Sequence, residues 1–407
     1  MADITVSTAF LAATTRAMRA VVFTNQYIGY WFQIGTGTDL HYCKTTNGGL
    51  TWGAEVSIFA GTVEAFDVWY DQWTPGNTGR DIHIAIVEGG VVDDLIYVRM
   101  NTGASTPTFT QVTAVALAST VAGRGQFTSI TRARGGNLFI AYDIDAGAEH
   151  GLYRSVDNGA SWASRTDPIE ATLDQAMLFP ANAADPQDIW MLYDDDSTTQ
   201  LTIKTHDDSA NTNSESEAIT FNNNATDATG QYGFTGSIRH SDGNLIFALA
   251  NDYDPAGGTA DLLVYDWNGT TATALTNIIT DKDDFYHPSM FLNQDTPDRI
   301  YVGYIGKSDG TQTLGTTAAV YYALSKDRGS TWTVDIAYST SSTDYRQLWC
   351  PLNGEKFQLF WMDISAADAI TNNDNSKDFG FCAVNNCMRT KATGINNSAI
   401  LSSVGIG

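Results

Sequence analysis

The sequence predicts an all-β chain, and three observations carry that prediction. Charged residues are only 17% of the 407, while Gly (36), Tyr (18), Phe (18) and Trp (10) are plentiful. Small and aromatic residues with little Lys and Glu suit strands and turns better than helices. Short apolar runs recur at a nearly constant spacing, and one nine-residue phrase occurs three times: RSVDNGASW at Arg154, LSKDRGSTW at Leu324 and KTTNGGLTW at Lys44.

The runs come in order as YIGYWFQ at Tyr27, DIHIAIV at Asp81, NLFIAYD at Asn137, DIWMLYD at Asp188, NLIFALA at Asn244, RIYVGYI at Arg299 and KFQLFWM at Lys356. Their starts are about 50–57 residues apart, a period typical of repeat architectures. Turn sequences such as RGG, SDG and NGE precede them. After a loop comes a second run in each unit: DLHYCK, DLIYVR, HGLYRS, QLTIKT, DLLVYD, AVYYALS and FGFCAVN. The nine-residue phrase starts where this second run ends. A further strand precedes the turn, as in FTSITRA, and another follows the phrase, as in TWTVDIAY.

Four short antiparallel strands per unit, repeated in this way, form the blade of a β-propeller. One blade cannot bury both its faces, so its neighbours must cover them. The chain is read as a single propeller over 1–388 with seven four-stranded blades, six being the alternative, and a tail over 389–407. The seventh unit lacks an evident fourth strand after FGFCAVNNCM, and DITVSTAFLA near the N-terminus is expected to supply it.

The totals restrict function. A net charge of −24 argues against binding nucleic-acid phosphates or an anionic membrane surface through broad electrostatics. No basic start with an apolar core marks a secretory signal, and no apolar run reaches the length of a membrane span. Cys43, Cys350, Cys382 and Cys387 form no CxxC pair and are expected to be free buried thiols, a bridge between Cys382 and Cys387 being the alternative. The histidines are scattered, which disfavours zinc. No cofactor is expected. Ca²⁺ is kept as a weak option on three loops dense in oxygen ligands, at Asp143–Glu149, Asp252–Asp261 and Asp363–Asp378.

The phrase Ser/Thr-x-Asp-x-Gly-x-Ser/Thr-Trp resembles the Asp-box, or BNR, repeat of sialidase-like propellers. Ser155, Asp157, Gly159 and Trp162 carry the match, as do Ser325, Asp327, Gly329 and Trp332. Thr45, Asn47, Gly49 and Trp52 carry it with Asn for Asp. The resemblance implies a hairpin turn between third and fourth strands at the blade rim, a structural part away from any catalytic centre.

On a propeller the ligand is expected over the central channel, at the starts of the innermost strands. Those positions are Arg16 and Arg19; Glu64, Asp67 and Trp69; Arg124 and Gln126; Asp174 and Gln175; Gln231 and Tyr232; Asp284, Tyr286 and His287; and Asp344, Tyr345, Arg346 and Trp349. Such a polar, aromatic ring suits sugars. The sialidase resemblance would set Arg16 or Arg19, Arg124 and Arg346 on a substrate carboxylate. Tyr286 or Tyr345 would be the nucleophile, with Glu64 and Asp67 beside it. The family's Arg-Ile-Pro signature is absent, TRAMRAVVF being the nearest stretch.

Two functions follow as expectations. The first is a non-enzymatic propeller of a phage or virus particle, partnered by other virion subunits or a cell-surface glycan, with homo-oligomerisation open. Its localisation would be the virion, the cytoplasm being the alternative. The second is a sialidase-like glycoside hydrolase or polysaccharide depolymerase acting at the channel.

Overall fold

The computed structural model describes residues 3–8, 16–89, 94–116, 127–143, 150–169, 175–195, 200–220, 233–251, 261–279, 286–294, 296, 298–308, 319–339, 345–363 and 368–371. The chain begins with β1 (Ile4–Ser7) and the two-residue β2 (Arg16–Ala17). The first blade is β3 (Val21–Phe23), β4 (Gly29–Ile34), β5 (Leu40–Thr45) and β6 (Val56–Phe59). The second is β7 (Thr62–Tyr70), β8 (Asp81–Gly89), β9 (Leu95–Asn101) and β10 (Thr108–Val115). A single 3-10 turn, Asp71–Trp73, follows β7.

The third blade is β11 (Phe127–Arg132), β12 (Leu138–Asp143), β13 (His150–Ser155) and β14 (Ala163–Arg165). The fourth is β15 (Gln175–Pro180), β16 (Ile189–Asp195), β17 (Gln200–Asp207) and β18 (Thr212–Thr220). The fifth is β19 (Phe234–Ile238), β20 (Leu245–Asn251), β21 (Asp261–Trp267) and β22 (Ala272–Ala274). The sixth is β23 (Tyr286–Asn293), β24 (Ile300–Ile305), β25 (Val320–Ser325) and β26 (Thr333–Ala337). The last has β27 (Tyr345–Trp349), then β28 (Asn353–Gly354), β29 (Phe360–Asp363) and β30 (Asp368–Thr371).

These strands form seven sheets, each with four antiparallel strands in chain order from the inside out. The last sheet is completed by β1, which pairs antiparallel with β30, Ile4 opposite Thr371. The N-terminal strand therefore supplies the missing fourth strand, as the sequence implied. The third strand of that blade is a correction: it is Asp368–Thr371, directly after the second, whereas FGFCAVN lies outside the described residues. The pairing of β29 with β30 starts at Asp363 and Asp368, so the hairpin closes too soon to reach FGFCAVN.

Burial falls from the inside out. The second strands β4, β12 and β24 are buried at every residue, because adjacent blades cover both their faces. That is why they read as unbroken apolar runs. The fourth strands β10 and β14 are exposed or half-buried along their length. The last blade meets the first through Trp31, which stacks on Phe360 (5.2 Å) and meets Trp349 edge-on (5.4 Å).

The three copies of the phrase form the β5–β6, β13–β14 and β25–β26 turns. In the second copy Ser155 Oγ donates to Asp157 Oδ1 (2.8 Å) and accepts from the Gly159 amide (2.8 Å), while the Ser161 amide donates to Asp157 Oδ1 (2.9 Å). Ser325, Asp327, Gly329 and Thr331 repeat this pattern. At Asn47 the amide nitrogen donates to Thr51 Oγ1 (2.8 Å), reversing the bond that Ser161 and Thr331 make by donating to a carboxylate. Each turn needs two consecutive left-handed residues, such as Asn158 and Gly159 (φ 58° and 88°).

Each turn also docks on the preceding blade. Trp52 meets Phe360 of the last blade (5.5 Å), Trp162 meets Tyr97 of the second (5.2 Å), and Trp332 Nε1 donates to the Thr276 carbonyl (2.8 Å). The phrase is thus a staple between blades. Cys43 and Cys350 are buried free thiols, and burial pushes each up to about 12. Cys382 and Cys387 lie outside the described residues.

Candidate functional site

The ring has two ends. The innermost strands β3, β7, β11, β15, β19, β23 and β27 start at one end. At the other they finish, beside the turns to their second strands and the three phrase turns.

The centre of the ring is occupied by its own chain. Strand β2 adds to the inner edge of β7, parallel, with Arg16 beside Ala65 and Ala17 beside Phe66. Ala17, Met18, Arg19 and Ala20 are all buried. The Ala17 carbonyl accepts from Trp349 Nε1 of the last blade (2.9 Å). Arg19 pairs through Nε with Asp67 Oδ1 of the second blade (2.8 Å) and through Nη2 with its Oδ2. It also donates to Ser129 Oγ (2.9 Å) and the Ile130 carbonyl (2.7 Å) of the third blade, and to the Leu178 carbonyl (3.2 Å) of the fourth. Its guanidinium lies over Trp69, 4.9 Å from the ring centroid. One short segment therefore reaches four blades.

The end where the strands finish is closed by contacts across the ring. The 3-10 turn after β7 carries Gln72 and Trp73 inward. Gln294, after β23, donates to the Gln72 carbonyl (3.2 Å) and to Asn353 Oδ1 (2.7 Å). His240 Nε2, after β19, lies 3.2 Å from the Trp73 carbonyl and from Asn353 Nδ2. Strand β28 adds parallel to the inner edge of β23, and Ser237 Oγ donates to the Leu352 carbonyl (2.7 Å). Burial depresses His240 below the ordinary histidine value. Neutral imidazole fits this crowded floor.

The opposite end is the one where the innermost strands start. There Gln175 opens β15, half-buried, and its Oε1 is buried with no hydrogen-bond partner in the structure. Tyr286 opens β23, and Tyr345 and Arg346 open β27.

The sequence-derived candidates fall into four groups. Arg19, Asp67, Trp69 and Trp349 do not line a mouth: they are at most 5% exposed and hold the ring together. Of the two residues, Arg16 or Arg19, that the sialidase resemblance would set on a substrate carboxylate, Arg19 has its charge already met by Asp67. Glu64 sits at a register shift in β7, half-buried, with its side chain against Gly89. Arg16, Tyr286, His287, Tyr345 and Arg346 are placed by backbone at strand starts. Arg124, Gln126, Asp174, Gln231, Tyr232, Asp284 and Asp344 lie outside the described residues, as does most of each acidic loop. Among the described residues, no group of three or more His, Cys, Asp or Glu could hold a metal, and no helix is long and apolar enough to cross a membrane.

One buried polar network has no signature in the sequence. Tyr97 Oη lies 2.7 Å from His83 Nδ1, His83 Nε2 lies 3.0 Å from Asp71 Oδ1, and Arg132 donates to the same oxygen (2.6 Å). Burial opposes the charge on Asp71, yet His83, Arg132 and the Asp81 amide outweigh it and bring the carboxyl down to about 2. His83, Tyr97 and Asp71 are almost wholly buried, and Trp162 seals Tyr97 from outside. The chain of bonds therefore orders the second blade rather than meeting a substrate. His83 and Tyr97 occupy ordinary strand positions, so no local pattern marked them.

No family model matches the chain, and no curated protein sequence matches it. Among solved structures, an ulvan lyase of polysaccharide lyase family PL25, bound to -[GlcA(1-4)Rha3S]-, is similar with a TM-score of 0.58. The two are 10% identical over 91% of this chain and 94% of that one. AofleA from Arthrobotrys oligospora is similar with a TM-score of 0.51, 10% identity, and coverage of 84% and 90%. A Trypanosoma rangeli sialidase in complex with the inhibitor DANA matches at a TM-score of 0.43 and 9% identity, over 94% of this chain and 58% of that one. Such identities show the fold and nothing finer: the chain is a β-propeller.

Proposed function

We propose that this propeller recognises a polysaccharide at the end where its innermost strands start. The observation that carries the reading is the closure of the other end. Gln72, Trp73, His240, Gln294 and Asn353 hydrogen-bond across the ring, and Arg16–Ala20 run through its middle. A ligand over the ring axis must then use the strand starts, where Tyr345, Arg346 and Gln175 lie. The side-chain amide of half-buried Gln175 is of the kind that bonds sugar hydroxyls. The bound -[GlcA(1-4)Rha3S]- of the similar ulvan lyase supports the ligand class. The nine-residue phrases are, on this reading, Asp-boxes that hold blades in register. A place in a virion draws no support from the similar structures.

The test is a panel of uronate-containing and neutral polysaccharides. Retention would be measured by affinity electrophoresis, a lyase product by the ultraviolet absorbance of an unsaturated uronate, and a hydrolase product by new reducing ends. We expect retention of at least one polysaccharide, weakened roughly tenfold or more in Arg346→Ala and Gln175→Ala, as for a central contact. Product with either signature would identify catalysis at this end. No retention and no product would overturn the reading, and so would retention untouched by both substitutions.

A further inference from the structure

The closed end carries an arginine without a counter-charge. Arg134 follows β11, in the turn RGG, and is half-buried. Its Nε is buried with no hydrogen-bond partner, and among the described residues no carboxylate pairs with it. Arg132, Arg154 and Arg165 also have a buried Nε without a partner, but they, Arg19 and Arg239 each hold an aspartate, and the missing counter-charge sets Arg134 apart. In a chain of net charge −24, an unpaired half-buried guanidinium is unexpected.

The surroundings are shaped to receive it. Arg134 reaches over to the β19–β20 turn, where its guanidinium fills the place a Cβ would take at Gly243 (φ 78°). Asn182 lies beside the same spot and donates to the Asp242 carbonyl (2.8 Å), tying the fourth blade to the fifth. The Asp242 carboxylate is not available, since Arg239 Nε holds both its oxygens (3.0 and 2.9 Å). His240 is close enough for the Arg134 charge to help depress it.

We propose that Arg134, with Asn182 and the Gly243 turn, is a binding site for a carboxylate group, separate from the strand-start end. A guanidinium presents a planar fork that matches a carboxylate in two parallel bonds. A bound carboxylate would supply the counter-charge that the fold withholds. The site goes beyond the polysaccharide reading and does not depend on it.

His240 is the reporter. It faces the Trp73 carbonyl, the Asn353 amide and the Arg134 charge. The experiment follows the His240 imidazole proton by NMR against pH, with and without sodium glucuronate, and with glucose as the uncharged control. The resonance is assigned with His240→Gln. In the native protein glucuronate is expected to raise the His240 titration midpoint, because the carboxylate cancels the Arg134 field. Arg134→Gln should raise it without ligand and abolish the response. Arg134→Lys, which keeps the charge without the fork, should weaken glucuronate binding about tenfold. No response to glucuronate, an equal response to glucose, or a response that survives Arg134→Gln would overturn the proposal.

Discussion

Replacing Asp67 by Ala removes the counter-charge of Arg19 at the centre of the ring. Both side chains are buried, at 0% and 2% exposure, so water cannot take over the role of the carboxylate. The carboxylate accepts from Arg19 Nε and Nη2 and also from the Ile130 amide (2.8 Å). Its loss leaves a desolvated guanidinium facing only the Ser129 hydroxyl and the Ile130 and Leu178 carbonyls. Removing one partner of a buried ion pair costs about 3–5 kcal/mol. The orphaned Ile130 amide adds about 1–3 kcal/mol where no water replaces the acceptor. Set against a total stability of about 5–15 kcal/mol, this change threatens folding. Urea unfolding followed by tryptophan fluorescence measures it, with Trp69 lying on the guanidinium as a local probe. The double variant Arg19→Leu, Asp67→Leu should be more stable than either single variant, since no charge is then left unpaired. An Asp67→Ala protein within about 1 kcal/mol of the native one, or a double variant no better than the singles, would refute the idea that this pair clamps the blades.

Two further predictions concern the turns. Gly159 and Gly76 share a left-handed backbone (φ 88° and 84°), but a Cβ at Gly159 runs into the Tyr97 ring while one at Gly76 meets nothing within 4 Å. Gly76→Ala should cost only the backbone strain of about 1–2 kcal/mol, and Gly159→Ala clearly more by denaturant midpoint; equal costs would mean the staple does not press on Tyr97. The carboxyl of Asp157 is held at about 2 by the Ser161 hydroxyl and amide and the Ser155 hydroxyl, and Asp327 is lowered by the same kinds of bond. A lowered acid contributes stability above its unfolded value of about 3.9, and this is lost as the pH falls toward 2. Substituting both by Asn, the residue already present at position 47, should flatten the acid limb of a stability-versus-pH curve, and an unchanged limb would count against the assignment.

Several elements were legible because their cause is local or periodic. The second strands read as apolar runs because both faces are covered. The phrase reads as a turn because it caps its own amides. The N-terminal closure followed from an unfilled place in a repeat. The third strand of the last blade was misread: FGFCAVN is the more apolar run, but the short Asp368–Thr371 follows the second strand directly and pairs first.

The candidate site was less legible. Arg19, Asp67, Trp69 and Trp349 have the composition of a sugar-binding mouth, and the same residues serve equally well inside a wall. Composition along one strand does not tell which end of the ring the chain closes on itself. Deciding that takes contacts between residues 332 apart, Trp349 to Ala17, and 222 apart, Gln294 to Gln72.

From the sequence by itself came the all-β class, the repeated four-stranded unit, the stapling turns and the strand that closes the ring. Each depends on period two along a strand or on side chains bonding within a few residues. Only the tertiary structure decided that the N-terminal segment fills the centre, that one end is bolted shut, and that Arg134 stands there unpaired. Those outcomes depend on which loops meet once seven blades have closed on one another, and no stretch of chain carries that information locally.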